Sequence, residues 1–139
     1  MINKRDVICM KIPYPDIGSG LALKPHMYIC KNVCDNSYEY IKCQTLKPAM
    51  LIHSPTRHFV DEPADISRNP FQRTTRIDCD KIFTTTSVQY DDRLKTSLRP
   101  DICQELYDSV LMELSADGYV KVAIDEDKLT HINSLITKV

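Results

Sequence analysis

The chain has 139 residues, 42% of them apolar and 27% charged, with a formal net charge of −1. That is enough chain for one core but not two, and its apolar content excludes a disordered polymer. No apolar run approaches the ~18 residues of a membrane helix, and Met1-Ile2-Asn3-Lys4-Arg5-Asp6 leads into no signal-like apolar stretch, so a cytoplasmic protein with no membrane partner is expected.

The six cysteines (Cys9, Cys30, Cys34, Cys43, Cys79 and Cys103) are then read as reduced thiols, several of them small core residues. Zinc is not expected: Cys30-x-x-x-Cys34 with His26 departs from zinc spacings, and no second cysteine pair follows. Charge is unevenly placed. Residues 42–76 hold six cations against three anions, whereas residues 77–139 hold seven cations against twelve anions. This points either to an anionic ligand near the middle or to the ordinary lumpiness of surface charge.

In chain order, residues 6–12 are short, apolar and free of breakers, which predicts a strand. Residues 13–20, with Pro13, Pro15, Gly18 and Gly20, form a loop. Residues 26–31 and 38–45 read as strands joined by a turn at Asp35-Asn36-Ser37, a hairpin in which Lys42 and Gln44 alternate with Ile41, Cys43 and Thr45. Residues 47–75 carry Pro48, Pro55, Pro63 and Pro70 without a true repeat and read as a long loop with short extended pieces. Residues 76–86 are β-branched and predict one long fourth strand.

Pro100 and Asp101 suit the first turn of a helix, and Ile102, Cys103, Leu106, Tyr107, Val110, Leu111 and Leu114 form its apolar stripe, with Gly118 as the stop. Residues 119–124 suggest another strand and 125–137 a last short helix. Short strands joined by turns, with one good helix late in the chain, predict a mainly β fold with helices (α+β), organised as a small barrel.

Three segments, taken in order, resemble the MazF/PemK/Kid toxin family. The first is Val7-Ile8-Cys9-Met10, a loop from Asp16 to Gly20, then Lys24-Pro25-His26-Met27-Tyr28-Ile29. The second is Ile41-Lys42-Cys43-Gln44-Thr45. The third is Ile77-Asp78-Cys79-Asp80-Lys81-Ile82-Phe83-Thr84. The resemblance covers roughly residues 5–115. It implies an SH3-like small β-barrel with a C-terminal helix, and the region after Gly118 extends past the usual family length as an appended strand/helix tail. Residues 1–139 then form a single domain, with 119–139 as an extension. It also implies a toxin-like endoribonuclease that cleaves single-stranded RNA without a metal or other cofactor, a homodimer, and an antitoxin partner whose acidic tail occupies the RNA groove. The alternative is a relative that has kept the barrel and binds a protein or nucleic acid without cutting it.

Metal-free RNA cleavage needs a base for the 2′-OH, an acid for the leaving oxygen and stabilisation of the anionic phosphorus centre. By resemblance Lys24 stands at the family's Arg position, where it supplies a point charge rather than a bidentate contact. Thr45 matches the family's Thr, whose hydroxyl bonds a phosphate oxygen. His26 is a reading of the residues themselves: it shares a strand face with Lys24 and adds acid–base capacity, or else is a packed edge histidine. Asp80 matches a family acid and is a catalytic candidate, or else a hydrogen-bond acceptor for loop backbone. His53, Arg57, His58, Arg68, Arg73 and Arg76 in and beside the long loop, with Phe59 and Phe71 and with Tyr14 in the first loop, offer the cations and stacking surfaces that single-stranded RNA prefers, or else belong to an ordinary solvated loop.

Overall fold

Strand β1 (Val7–Met10) leads through a short helix α1 (Gly20–Leu23) to a long hairpin, β2 (His26–Cys34) and β3 (Ser37–Thr45). The hairpin turns at Asp35, whose φ of 54° lies in the left-handed region that short polar side chains tolerate. Met10 pairs with His26 and Met27 with Cys43, so β1, β2 and β3 lie side by side, antiparallel. The computed structural model describes residues 1–54 and 56–139, with every side chain among them except that of Asp117; Pro55, one of the four spaced prolines, lies outside the described residues.

The stretch read as a long loop contains a one-turn helix, α2 (Ala49–Ile52), and a strand, β4 (Phe59–Glu62). The long strand expected over residues 76–86 is instead two strands, β5 (Thr75–Asp78) and β6 (Lys81–Thr85). The break has a local cause. Asp78 Oδ1 accepts from the Asp80 N–H at 2.7 Å, closing an Asx turn, and the Cys79 N–H leaves the ladder for the His58 carbonyl. The bend lets one segment serve both ends of β3, with β5 on Cys43–Thr45 and β6 on Tyr38–Tyr40.

A short strand β7 (Val88–Tyr90) and a 3-10 turn (Asp92–Leu94) precede the main helix, α3 (Gln104–Asp117). The helix starts later than Pro100 and Asp101 suggest. The Pro100 carbonyl accepts from Val7 N–H, and Ile102 N–H donates to Arg5, so residues 100–102 run extended beside β1 and cannot coil. Cys103 caps the helix, and Gly118 ends it at φ 75°. The chain finishes with β8 (Val120–Ala123), α4 (Glu126–Ile132) and β9 (Ile136–Lys138).

The fold is mixed α+β, mostly sheet, with four α-helices among the described residues. Seven strands form the order β1-β2-β3-β5-β4, with β6 on β3 and β8 parallel on β6. The pairing stays open: among the described residues β1, β4 and β8 each pair with a single strand, and the sheet does not close into a barrel.

Both faces of this sheet are covered. Val7, Ile29, Ile41, Cys43 and Ile77 pack on one side against Leu106, Val110 and Leu114 of α3. Ile8, Met10, Tyr28, Tyr40 and Phe83 pack on the other with Tyr90, Leu129 and Ile136. Each aliphatic side chain so buried contributes about 1.5–3 kcal/mol, and the α3 stripe read from the sequence is the stripe that packs. Residues 119–139, expected as an extension, fill the second face. Asn133 fastens them: its Oδ1 accepts from Lys11 N–H at 2.9 Å and its Nδ2 donates to the Lys11 carbonyl at 2.7 Å.

Candidate functional site

A cavity of about 280 Å³ opens where β2 begins and β3 ends. Met27, Cys43 and Phe71 give it apolar walls, and His26, Thr45 and Arg73 also line it. Three candidate residues from the sequence therefore meet at one place. Lys24 adjoins them, directly before Pro25, which also lines the cavity.

The local chain explains this convergence. Ser19 accepts from Ala22 N–H to start α1, and Pro25 forces the residue before it out of helical geometry. Lys24 is accordingly extended, at φ −130° and ψ 141°, and its carbonyl faces the His26 ring, 3.0 Å from Nδ1. A carbonyl only accepts, so Nδ1 carries the proton. The neutral ring then leaves Nε2 as an acceptor. Burial pushes the His26 pKa below its ordinary value of 6.5, and the nearby cations Lys42, Lys47 and Lys24 push it the same way.

On the opposite wall, residues 62–73 are locked rather than loose. The buried Asn69 donates to Glu62 at 2.9 Å and to the Pro63 carbonyl at 3.0 Å, and its Oδ1 accepts from Phe71 N–H at 3.0 Å. Arg68 adds a 2.8 Å bond to the same Glu62 carboxylate. This network holds Phe71 against the cavity, and the exposed Arg73 follows two positions later, its carbonyl accepting from the Thr75 hydroxyl at 2.9 Å. Among the described residues Lys24, Lys47 and Arg73 form no ion pair, so their charge is presented to solvent.

The other candidates lie elsewhere, and the protein itself occupies most of them. Arg76 is 4% exposed. It makes two 2.8 Å bonds to Asp61, donates to the Met50 carbonyl and Ser54, and stacks over the Phe59 ring at 3.6 Å. Asp80 accepts from the Arg57 N–H at 2.6 Å and the His58 N–H at 3.0 Å, the loop-backbone arrangement that was its alternative reading. His58 stands 3.9 Å from Glu113 on α3, and the exposed Arg57 side chain forms no ion pair among the described residues. Tyr14 packs edge-on against Phe83, with ring centroids 5.4 Å apart.

Sequence reasoning passed over Lys42, which it read only as part of an alternating strand. Its side chain is 14% exposed and its Nζ lies 3.7 Å from Asp78 Oδ2; Lys81 reaches the same oxygen at 3.5 Å. Burial lowers the Lys42 pKa, opposed by Asp78. The hairpin register sets Lys42 opposite Tyr28, on the strand face that His26 shares.

Among the described residues no group of three or more His, Cys, Asp or Glu is placed to hold a metal ion, and no helix is long and apolar enough to cross a membrane. Comparison with protein-family models, curated proteins and solved structures returns no match.

Proposed function

We propose that this protein is a toxin-like endoribonuclease that cleaves single-stranded RNA without a metal, at the cavity lined by His26, Thr45 and Arg73, with Lys24 directly beside it. The observation that carries the reading is the state of His26. Its Nδ1–H is committed to the Lys24 carbonyl, and burial and neighbouring lysines keep the ring neutral at pH 7. Nε2 is thus free to accept a proton as a general base.

In the proposed step Nε2 takes the 2′-OH proton and O2′ attacks the adjacent phosphorus. The bond from phosphorus to O5′ breaks, and O5′ takes a proton from the Lys24 ammonium. The products are a 2′,3′-cyclic phosphate and a 5′-hydroxyl. Thr45 donates a hydrogen bond to a phosphate oxygen, and the Arg73 guanidinium offsets the charge of the pentavalent centre. An SH3-like arrangement, as an open sheet rather than a closed barrel, belongs to the same proposal. It is supported by β3, which serves β5 at one end and β6 at the other as a long bent barrel strand does. A homodimer, an acidic antitoxin tail over the cationic rim and a cytoplasmic setting complete it.

A non-catalytic binding module is the second reading, favoured by the engagement of Asp80 and Arg76 in the protein's own structure. Incubating purified protein with a long unstructured RNA in EDTA, beside His26→Ala and Lys24→Ala, separates the two. Discrete cuts with cyclic-phosphate ends, lost in His26→Ala, support the enzyme. RNA retention without cuts by the folded protein supports the binder.

A further inference from the structure

We infer that the cavity is a nucleobase pocket, with a second cavity beside it that receives the neighbouring nucleotide. This rests on the reading of single-stranded RNA as the substrate and assigns residues that reading leaves without a role: Met27, Phe71 and Gln72.

The shape comes first. At about 280 Å³ the cavity falls just below the roughly 300–1,000 Å³ of pockets that enclose drug-sized ligands, which suits one planar heterocycle. Its apolar surfaces, Met27 and the largely buried Phe71, offer a thioether and an aromatic ring to stack against, contacts any base can make. Its polar groups suit the edge of a base. The Gln72 amide and the Thr45 hydroxyl hold no hydrogen bond among the described residues, so both donors and acceptors are available.

Continuity comes second. A cavity of about 510 Å³ adjoins the first and shares Cys9, Met27 and Gln72 with it. A strand whose base sits in the first cavity passes over this shared wall into the second, which is lined further by Pro70, Leu94 and Thr96. Charge comes third. Of the unpaired cations, Arg73 lines the first cavity, Lys24 directly precedes its Pro25 and Lys47 follows its Thr45 by two positions, whereas in the second Arg93 is paired with Asp91 and Lys95 with Asp6. The phosphate is therefore held at the first cavity and the continuing strand is held by contact rather than by charge.

Cys9, on the shared wall, reports occupancy. The full-length protein is alkylated with and without single ribonucleoside 5′-monophosphates, and modification of each cysteine is followed by peptide mass. At a nucleotide concentration about ten times its Kd, Cys9 labelling slows about tenfold while exposed Cys34 is unaffected. Inorganic phosphate alone leaves Cys9 unprotected. In Gln72→Ala, an exposed substitution, the preference among cut sites in a mixed RNA changes.

Equal protection by phosphate and nucleotides would reduce the site to an anion hole and overturn the inference. So would unprotected Cys9 in a protein that still cuts RNA through His26, and there the ribonuclease reading survives. Nucleotide protection without any cleavage would sink the ribonuclease and leave the pocket standing.

Discussion

The rim of the cavity and the cluster of Arg76, Asp80 and His58 draw on the same residue types, yet they differ in what those residues are free to do. At the rim, Lys24, Lys47 and Arg73 carry charge with no ion pair among the described residues, and neutral His26 keeps a lone pair available. In the second region Arg76 is locked to Asp61, Asp80 is filled by two backbone N–H groups, and His58 faces Glu113. Cation content in a sequence therefore overstates ligand-binding charge. What matters is whether the fold supplies each cation with internal partners: with four of its five N–H donors engaged inside the protein, the Arg76 guanidinium has little left to offer a phosphate.

The contrast is sharpest if each region is broken in turn. His26→Ala should lower the cleavage rate about 10²- to 10⁴-fold, the range of a lost general base, with little change in urea midpoint. In the unsubstituted protein the rate should stay level from pH 8 down to about 6.5 and decline only below that, since the His26 pKa lies under its ordinary 6.5. Stability follows the same sign. The unfolded chain binds the His26 proton first as pH falls through 6.5, so the native state is most stable above that pH and loses stability down to the native pKa. A cleavage profile rising toward acid would refute the assignment of His26 as base.

In the other region the effects should fall on stability. Arg76→Ala leaves Asp61, the Met50 carbonyl and Ser54 without their partner; because Asp61 is partly solvated, a loss of about 2–4 kcal/mol is expected in urea unfolding. Asp80→Ala frees two backbone donors and should cost about 1–2 kcal/mol while cleavage at fixed folded fraction is retained. If Asp80→Ala abolished cleavage in a fully folded sample, the division between the two regions would collapse.

Smaller effects concern salt. Lys24→Gln and Arg73→Gln should each reduce the slope of log affinity against log salt for single-stranded RNA by about 0.7, one phosphate contact apiece. Arg57→Gln should leave that slope unchanged, though its side chain is exposed and its charge is the same.

The sequence made the hairpin of β2 and β3 and the apolar face of α3 legible, because turn chemistry and periodicity act over neighbours. The converging trio of His26, Thr45 and Arg73 was named residue by residue, but not as a group distinct from Arg76 or Asp80. Arg73 and Arg76 are three positions apart, and only the pairing of β4 with β5 decides that Asp61 meets the latter.

Lys42 illustrates the same barrier. Counting back from the turn, where Cys34 pairs with Ser37, sets Lys42 opposite Ile29, on the face away from His26. An irregularity between Cys30 and Asn32 moves the register by one residue and brings Lys42 opposite Tyr28 instead. No local pattern announces that shift. Strands β7 and β9, at three residues each, are likewise too short for alternation to be seen.

The fastening of Asn133 to Lys11 has a consequence for how the chain is made. Synthesis runs from one end, and domains generally fold as units as they emerge. Until residues 120–139 have left the ribosome, Tyr28, Tyr40 and Phe83 lack the cover of Leu129 and Ile136. The nascent sheet is therefore an exposed aromatic surface, offered to chaperones during translation and withdrawn when α4 and β9 dock.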